Sequence, residues 1–152
     1  MATRQSTAVK SGLMPDYTLP GMVLCRTAKF TDKEMTSGET LEMVPVPKGA
    51  KIVDINFAID SATGVGCSEA EIGDGASQGR FFDGLSLTAV QAFALAGEGV
   101  PGSIGFQFTV DDTIDIFIGK AATGVATGNN WVMNVFYKMA GSLEDEDNLT
   151  NY

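Results

Sequence analysis

Between Lys51 and Asp60 two kinds of position alternate. Val53, Ile55, Phe57 and Ile59 fall on one side, and Asp54, Asn56, Ala58 and Asp60 on the other. A period of two predicts a β-strand with one buried and one wet face. Further strands are predicted at 22–30, 39–46, 66–72, 103–110, 113–118 and 131–139, all short and mostly rich in Val, Ile, Phe or Thr. The strongest hairpin pattern sets Phe106, Phe108 and Val110 against Ile114, Ile116 and Ile118 across Asp111-Asp112. In the last strand Trp131, Met133, Val135 and Tyr137 share a face that reads as core, and Val132, Asn134, Phe136 and Lys138 share the other. Residues 85–97 suit a short helix and a strand equally well.

Helix is disfavoured throughout. The chain holds 18 glycines, each costing a helix about 1 kcal/mol relative to alanine. The fold class is therefore all-β, an antiparallel β-sandwich or jelly-roll-like body with an extended N-terminal arm. The predicted core is Val53, Ile55, Phe57, Ile59, Phe106, Phe108, Ile114, Ile116 and Ile118. Three regions follow from composition. Residues 1–20 form a polar arm punctuated by Gly12, Pro15 and Pro20, residues 21–140 the sandwich body, and residues 141–152 an acidic tail. No apolar run approaches the roughly 20 residues of a membrane helix. The N-terminus has no apolar segment of the secretory kind, so synthesis in a cytoplasm is expected.

Charge adds a polarity to this plan. The chain carries a net −9, yet its first thirty residues hold Arg4, Lys10, Arg26 and Lys29 against Asp16 alone. The tail holds Glu144, Asp145, Glu146 and Asp147 with no base. An acidic body argues against nucleic acid, whose binding rests on lysine and arginine against phosphate. A basic arm and an acidic tail suit contacts between copies or with a partner, and also serve solubility.

Little in the chain is arranged for catalysis. There is no histidine, which removes the Ser-His-Asp and Cys-His arrangements and His-based zinc sites. Glu69 and Glu71 would lie about 6.5 Å apart on one strand face, whereas glycosidase carboxylates usually face each other across a cleft. The loop Gly73–Arg80 lacks the lysine and hydroxyl of a phosphate cradle and the ligand spacing of an EF-hand. A calcium site of Glu71, Asp74 and Asp83 gives way to a turn reading, in which Asp74 bonds its own backbone and Gly75 takes a positive φ. Asp111, Asp112 and Asp115 read as a hairpin tip and a wet strand face. Cys25 and Cys67 read as buried, reduced thiols. No catalytic, cofactor-binding or metal-binding residue is assigned, and the chain is not expected to be an enzyme.

The run from Pro47 to Phe82 resembles a pattern in small structural proteins of tailed bacteriophages. The matching residues are Val46, Pro47, Gly49, Ala50, Ile52, Asp54, Ile72, Gly73, Asp74, Arg80 and Phe81. They are similar to those of the decoration, or cement, proteins that bind the outside of assembled capsids. The resemblance covers about a quarter of the chain and implies a virion structural protein on the outer capsid surface that stabilises the shell. Its implied partners are the major capsid protein and further copies of itself, as a trimer on threefold seams or a dimer on twofold axes. It implies no cofactor, no membrane and no nucleic acid. The arm's candidate partner-binding residues are Arg4, Lys10, Leu13, Met14, Tyr17 and Leu19, with the apolar anchors expected to outweigh the charges. The rival reading is a receptor- or carbohydrate-binding module of a phage fibre or spike, in which Trp131, Phe136 and Tyr137 would stack on sugar rings.

Overall fold

The period-two segments build two layers in the computed structural model, which describes residues 3–6, 9, 22–32, 36–61, 67–121 and 129–139. Its strands are β1 (Thr3–Gln5), β2 (Leu24–Asp32), β3 (Thr40–Val46), β4 (Ala50–Ser61), β5 (Cys67–Asp74), β6 (Ser77–Leu87), β7 (Gln91–Ala94), β8 (Asp112–Ala121) and β9 (Asn129–Met139), with one helical turn, α1 (Leu95–Glu98), after β7. One sheet runs β1-β3-β8-β5-β6 and the other β2-β9-β4-β7. All pairings are antiparallel except that of β1 with β3. This is the antiparallel β-sandwich that the alternation predicts.

The core lies between the layers. Leu41, Met43, Ala70, Ile72, Ile114, Ile116 and Ile118 come from the five-stranded sheet. Ile55, Phe57, Ile59, Trp131, Met133, Val135 and Tyr137 come from the four-stranded one, and all are buried. Trp131 sits edge-on to Phe57 at 6.2 Å and tilted to Phe30 at 6.0 Å, within the range where aromatic pairs attract beyond simple burial.

Two expectations are corrected here. Val53 is only half-buried, and Ile52 fills the core in its place. The cause is a bulge: β4 steps from Ile52 to Asp54 while β9 advances one residue, from Tyr137 to Phe136. The extra residue reverses the facing of everything before it. The hairpin expected between 106–110 and 113–118 is also absent. β8 has β3 on one side and β5 on the other, while residues 105–108 pair with the start of β4. Four backbone bonds make that pairing: Ile52 N to Phe106 O, Gly105 N to Ile52 O, Phe108 N to Ala50 O and Gly49 N to Phe108 O, at 2.7–2.9 Å. Gly102 and Gly105, at φ +87° and +86°, let the chain turn there. Asp111-Asp112 supplies no glycine for a tight primed turn, and Asp111 instead accepts a bond from the Lys48 N–H at 2.7 Å. Phe108 is buried, Phe106 packs partly against the core, and Val110 is exposed.

The ambiguous 85–97 stretch resolves into the end of β6, a bend, β7 and α1. Each sheet border is irregular in its own way. β2 carries Lys29 mid-strand and turns Arg26 to the inward side, shared with Ala28 and Phe30. β7 is four residues long. β6 loses register with β5 three times and has Gly84 at φ +69°. β1, the border beside β3, is three residues long and pairs only with Thr40, Leu41 and Glu42. Such features blunt edge-to-edge pairing.

Candidate interaction surfaces

On the outer side of the five-stranded sheet, the ladder sets Glu42 of β3 directly opposite Asp115 of β8. Like charges in that position repel. Asp115 is half-buried, and one of its oxygens is enclosed without a hydrogen-bond partner. Its pKa is raised from 3.8 to about 7, first by burial and then by the nearby carboxylates of Glu42, Asp112 and Asp74, against a lowering bond from the Thr113 side chain. This corrects the wet-face reading of Asp115, because neighbours on β3 and β5 enclose it. Among the described residues no group of three His, Cys, Asp or Glu is placed to hold a metal ion.

The β5–β6 hairpin explains the motif residues. Asp74 is buried, and its Oδ1 accepts the N–H groups of Ala76 at 3.0 Å and Ser77 at 2.8 Å, as the turn reading expects. Its Oδ2 pairs with Arg80 Nε at 2.5 Å, and the Arg80 guanidinium lies 4.1 Å from the Phe106 ring centre. Gly75 is not at positive φ, contrary to expectation. The required glycine is Gly73, where a Cβ would stand 1.9 Å from the Ser77 carbonyl oxygen. Asp74 and Arg80 thus tie the hairpin to the 105–108 segment, while Ile72 and Phe81 fill the core.

The outer side of the four-stranded sheet differs in chemistry. Its cross-strand rows run Cys25–Phe136–Asp54, Thr27–Asn134–Asn56–Ala94 and Lys29–Val132–Ala58–Ala92. Thr27 donates to Asn134 and Thr31 to Asn130, each at 2.6 Å. Among the described residues the charged groups on this side are Lys29, Lys51 and Lys138 with Asp54 and Asp60. Val23, 53% exposed, leads into it. Cys25 is exposed and Cys67 buried, neither in a disulfide, which corrects the reading that buries both. A strand-by-strand reading misses this surface because its rows run across three or four strands distant in sequence.

Of the three aromatic residues in the sugar-platform reading, only Phe136, half-buried, lies on the outer side. Trp131 and Tyr137 are each 1% exposed, and burial raises the Tyr137 hydroxyl pKa. Of the arm residues, Arg4 belongs to β1, with its Cα opposite Leu41. Lys10, Leu13, Met14, Tyr17 and Leu19, and the acidic tail, lie outside the described residues. Beside Arg4, Gln5 donates to Glu42 at 2.6 Å, and buried Ser6 donates its N–H to the Glu42 carbonyl at 2.8 Å and its hydroxyl to the Met43 carbonyl.

Chains in solved phage capsid structures share this architecture. One from the capsid of Ralstonia phage GP4 aligns with a TM-score of 0.74 at 16% identity, over 93% of this chain and 100% of that one. One from the cyanophage Pam1 capsid asymmetric unit gives 0.59 at 15% identity, over 84% and 92%. A chain of the acid-stable capsid of Helicobacter pylori bacteriophage KHP30 gives 0.56 at 13% identity, over 81% and 92%. No protein-family model matches the chain, and no curated protein matches its sequence. At these identities the shared property is the fold: the sandwich predicted from alternation is one found in chains of phage capsids.

Proposed function

We propose that this protein is a virion structural protein of the decoration type, bound to the outer surface of an assembled phage capsid and stabilising the shell. The observation that carries the reading is the fold match to a capsid chain along that chain's entire length. The counterpart is thus itself a small sandwich with no additional domain. The outer sides of its two sheets, one with Glu42 and Asp115 and the other with Lys29 and Lys51, give such a body surfaces for a shell and for solvent. The resemblance across Pro47–Phe82 points the same way, and its residues are accounted for by a turn, an ion pair and the core. Beyond residues 3–6, which pair with β3 of the same chain, the arm extends the contact to a neighbouring subunit or copy, and the protein associates with itself as a trimer, with a dimer as the alternative closed form.

The test adds purified protein to cognate capsids stripped of accessory proteins, followed by co-sedimentation and cryo-electron microscopy. Expected are regular density on the outer surface and shells that survive higher temperature or lower ionic strength. Failure to bind, or density confined to a tail or fibre, refutes the reading. Sedimentation of the free protein as a monomer at micromolar concentration refutes the self-association.

A further inference from the structure

We infer that when copies of this chain associate, β1 of each copy leaves its own β3 and pairs with β3 of the next. The partner for the β3 margin is then the segment Thr3–Ser6 of a second copy. The inference rests on the self-association proposed above and assigns the contact that performs it.

The margin is a small and specific socket. In the single chain Thr3, Arg4 and Gln5 stand opposite Thr40, Leu41 and Glu42 in a parallel pairing. Ser6, 1% exposed, closes the socket. Its N–H donates to the Glu42 carbonyl at 2.8 Å and its hydroxyl to the Met43 carbonyl. Gln5 adds a bond from its Nε2 to the Glu42 carboxylate at 2.6 Å. Among the described residues, every ladder partner of β1 belongs to β3. None of these contacts depends on which copy supplies the strand. Exchange therefore keeps them all, which is why swapping an identical element is a low-cost route to association.

Chain length selects the second copy. Ser6 lies beside Met43, three residues before the end of β3 at Val46. β2 packs against β3 and begins at that same end of the sandwich. Leu24 and Ile52 both stand opposite Tyr137, and β4 follows β3 through Pro47–Gly49 alone. Three residues of rise, one strand spacing and one layer spacing put the start of β2 roughly 15 Å from Ser6. About five residues would close that gap. Val9 is still at Ser6, its N–H 3.3 Å from the hydroxyl. From there to Met22 the chain has 12 intervening residues, enough to span about 40 Å. The excess of about 25 Å matches what is needed to cross to an adjacent body whose radius of gyration is about 15 Å. In a closed ring each copy gives one strand and receives one, so no margin is left over. The incoming strand is three residues long and detached from its own sheet, so exchange caps the margin without fusing two sheets.

The experiment oxidises Gln5→Cys/Glu42→Cys at micromolar concentration and reads the products by non-reducing electrophoresis beside sedimentation of the same sample. A Cys25→Ser background removes the exposed thiol and leaves Cys67 buried. Gln5 and Glu42 are Cα partners, and neighbouring strands stand within the separation a disulfide spans. Thr3→Cys/Thr40→Cys, the partner pair two residues back, repeats the measurement if the first variant does not fold. Expected is at least tenfold more intermolecular than intramolecular disulfide, in covalent oligomers up to the size found by sedimentation. Deleting Ser11–Asp16 leaves a reach of about 20 Å, enough for the same copy alone, and should turn the disulfide intramolecular. The exchange alone fails if the protein sediments as an oligomer but its disulfide is intramolecular, or if neither pair forms one. It also fails if the shortened chain still links between copies. A monomer in sedimentation overturns the self-association and the exchange together.

Discussion

Replacing Asp115 by asparagine should stabilise the protein at pH 8 by about 2–4 kcal/mol. The carboxyl titrates at about 7 in the fold against 3.8 ordinarily. Between those values the folded state holds a proton that the unfolded chain has released. Stability contributed by this group is therefore complete below pH 3.8 and drains away as pH rises toward 7. Each pH unit in that window is worth about 1.4 kcal/mol, which puts the ceiling near 4 kcal/mol. Residual exposure of Asp115 to solvent screens part of it. Asparagine keeps the shape, can still accept a bond from Thr113, and presents an N–H₂ to the carboxylates of Glu42, Asp112 and Asp74. Urea unfolding followed by the fluorescence of Trp131, the sole tryptophan, at pH 4, 5, 6, 7 and 8 gives both stability curves. The two should coincide within about 1 kcal/mol at pH 4 and separate steadily above pH 5. Parallel curves, or a variant less stable at pH 8, would refute the enclosure argument.

Other expectations concern single contacts. Phe57→Ala removes a fully buried ring and should cost about 3–5 kcal/mol by urea unfolding; a loss below about 1 kcal/mol would misplace the core. Arg80→Ala leaves the buried Asp74 charge unpaired and should cost about 3 kcal/mol, with a smaller loss for the double variant Arg80→Ala/Asp74→Asn. Ser6→Ala removes the hydroxyl bonded to Met43 and should cost about 1 kcal/mol in melting experiments. On stripped shells, Leu13→Ala/Tyr17→Ala should weaken binding more than Arg4→Ala/Lys10→Ala, because exposed ion pairs contribute only about 0.2–1 kcal/mol and are screened by salt.

What the sequence revealed follows the range of the interactions. The facing of Trp131, Met133, Val135 and Tyr137 was readable because β9 keeps its period along its length. In β4 the period holds from Ile55 to Ile59 and fails at Val53, since a bulge is defined against the partner strand and leaves no mark in one segment's alternation. The apolar pattern of 106–110 was real, but its partner lies more than fifty residues upstream, at 49–52. Asp74 was legible as a turn residue because its bonds reach only to Ala76 and Ser77. Asp115 was not, because Glu42 and Asp74 reach it from other strands. Cys25 sits in an apolar-looking run, and only its outward facing on a border strand exposes it.

The irregular sheet borders have a consequence for crowding. In the decoration role proposed above, identical copies would stand at local concentrations where a long, flat strand margin would template fibrils. An inward arginine in β2, a four-residue β7, a repeatedly bulged β6 and a three-residue β1 deny that template at each margin. Neighbouring molecules can then stand side by side in the folded state without merging their sheets. In that role any long-range order among them would come from the lattice beneath, and a detached copy would offer no long strand margin to an aggregate.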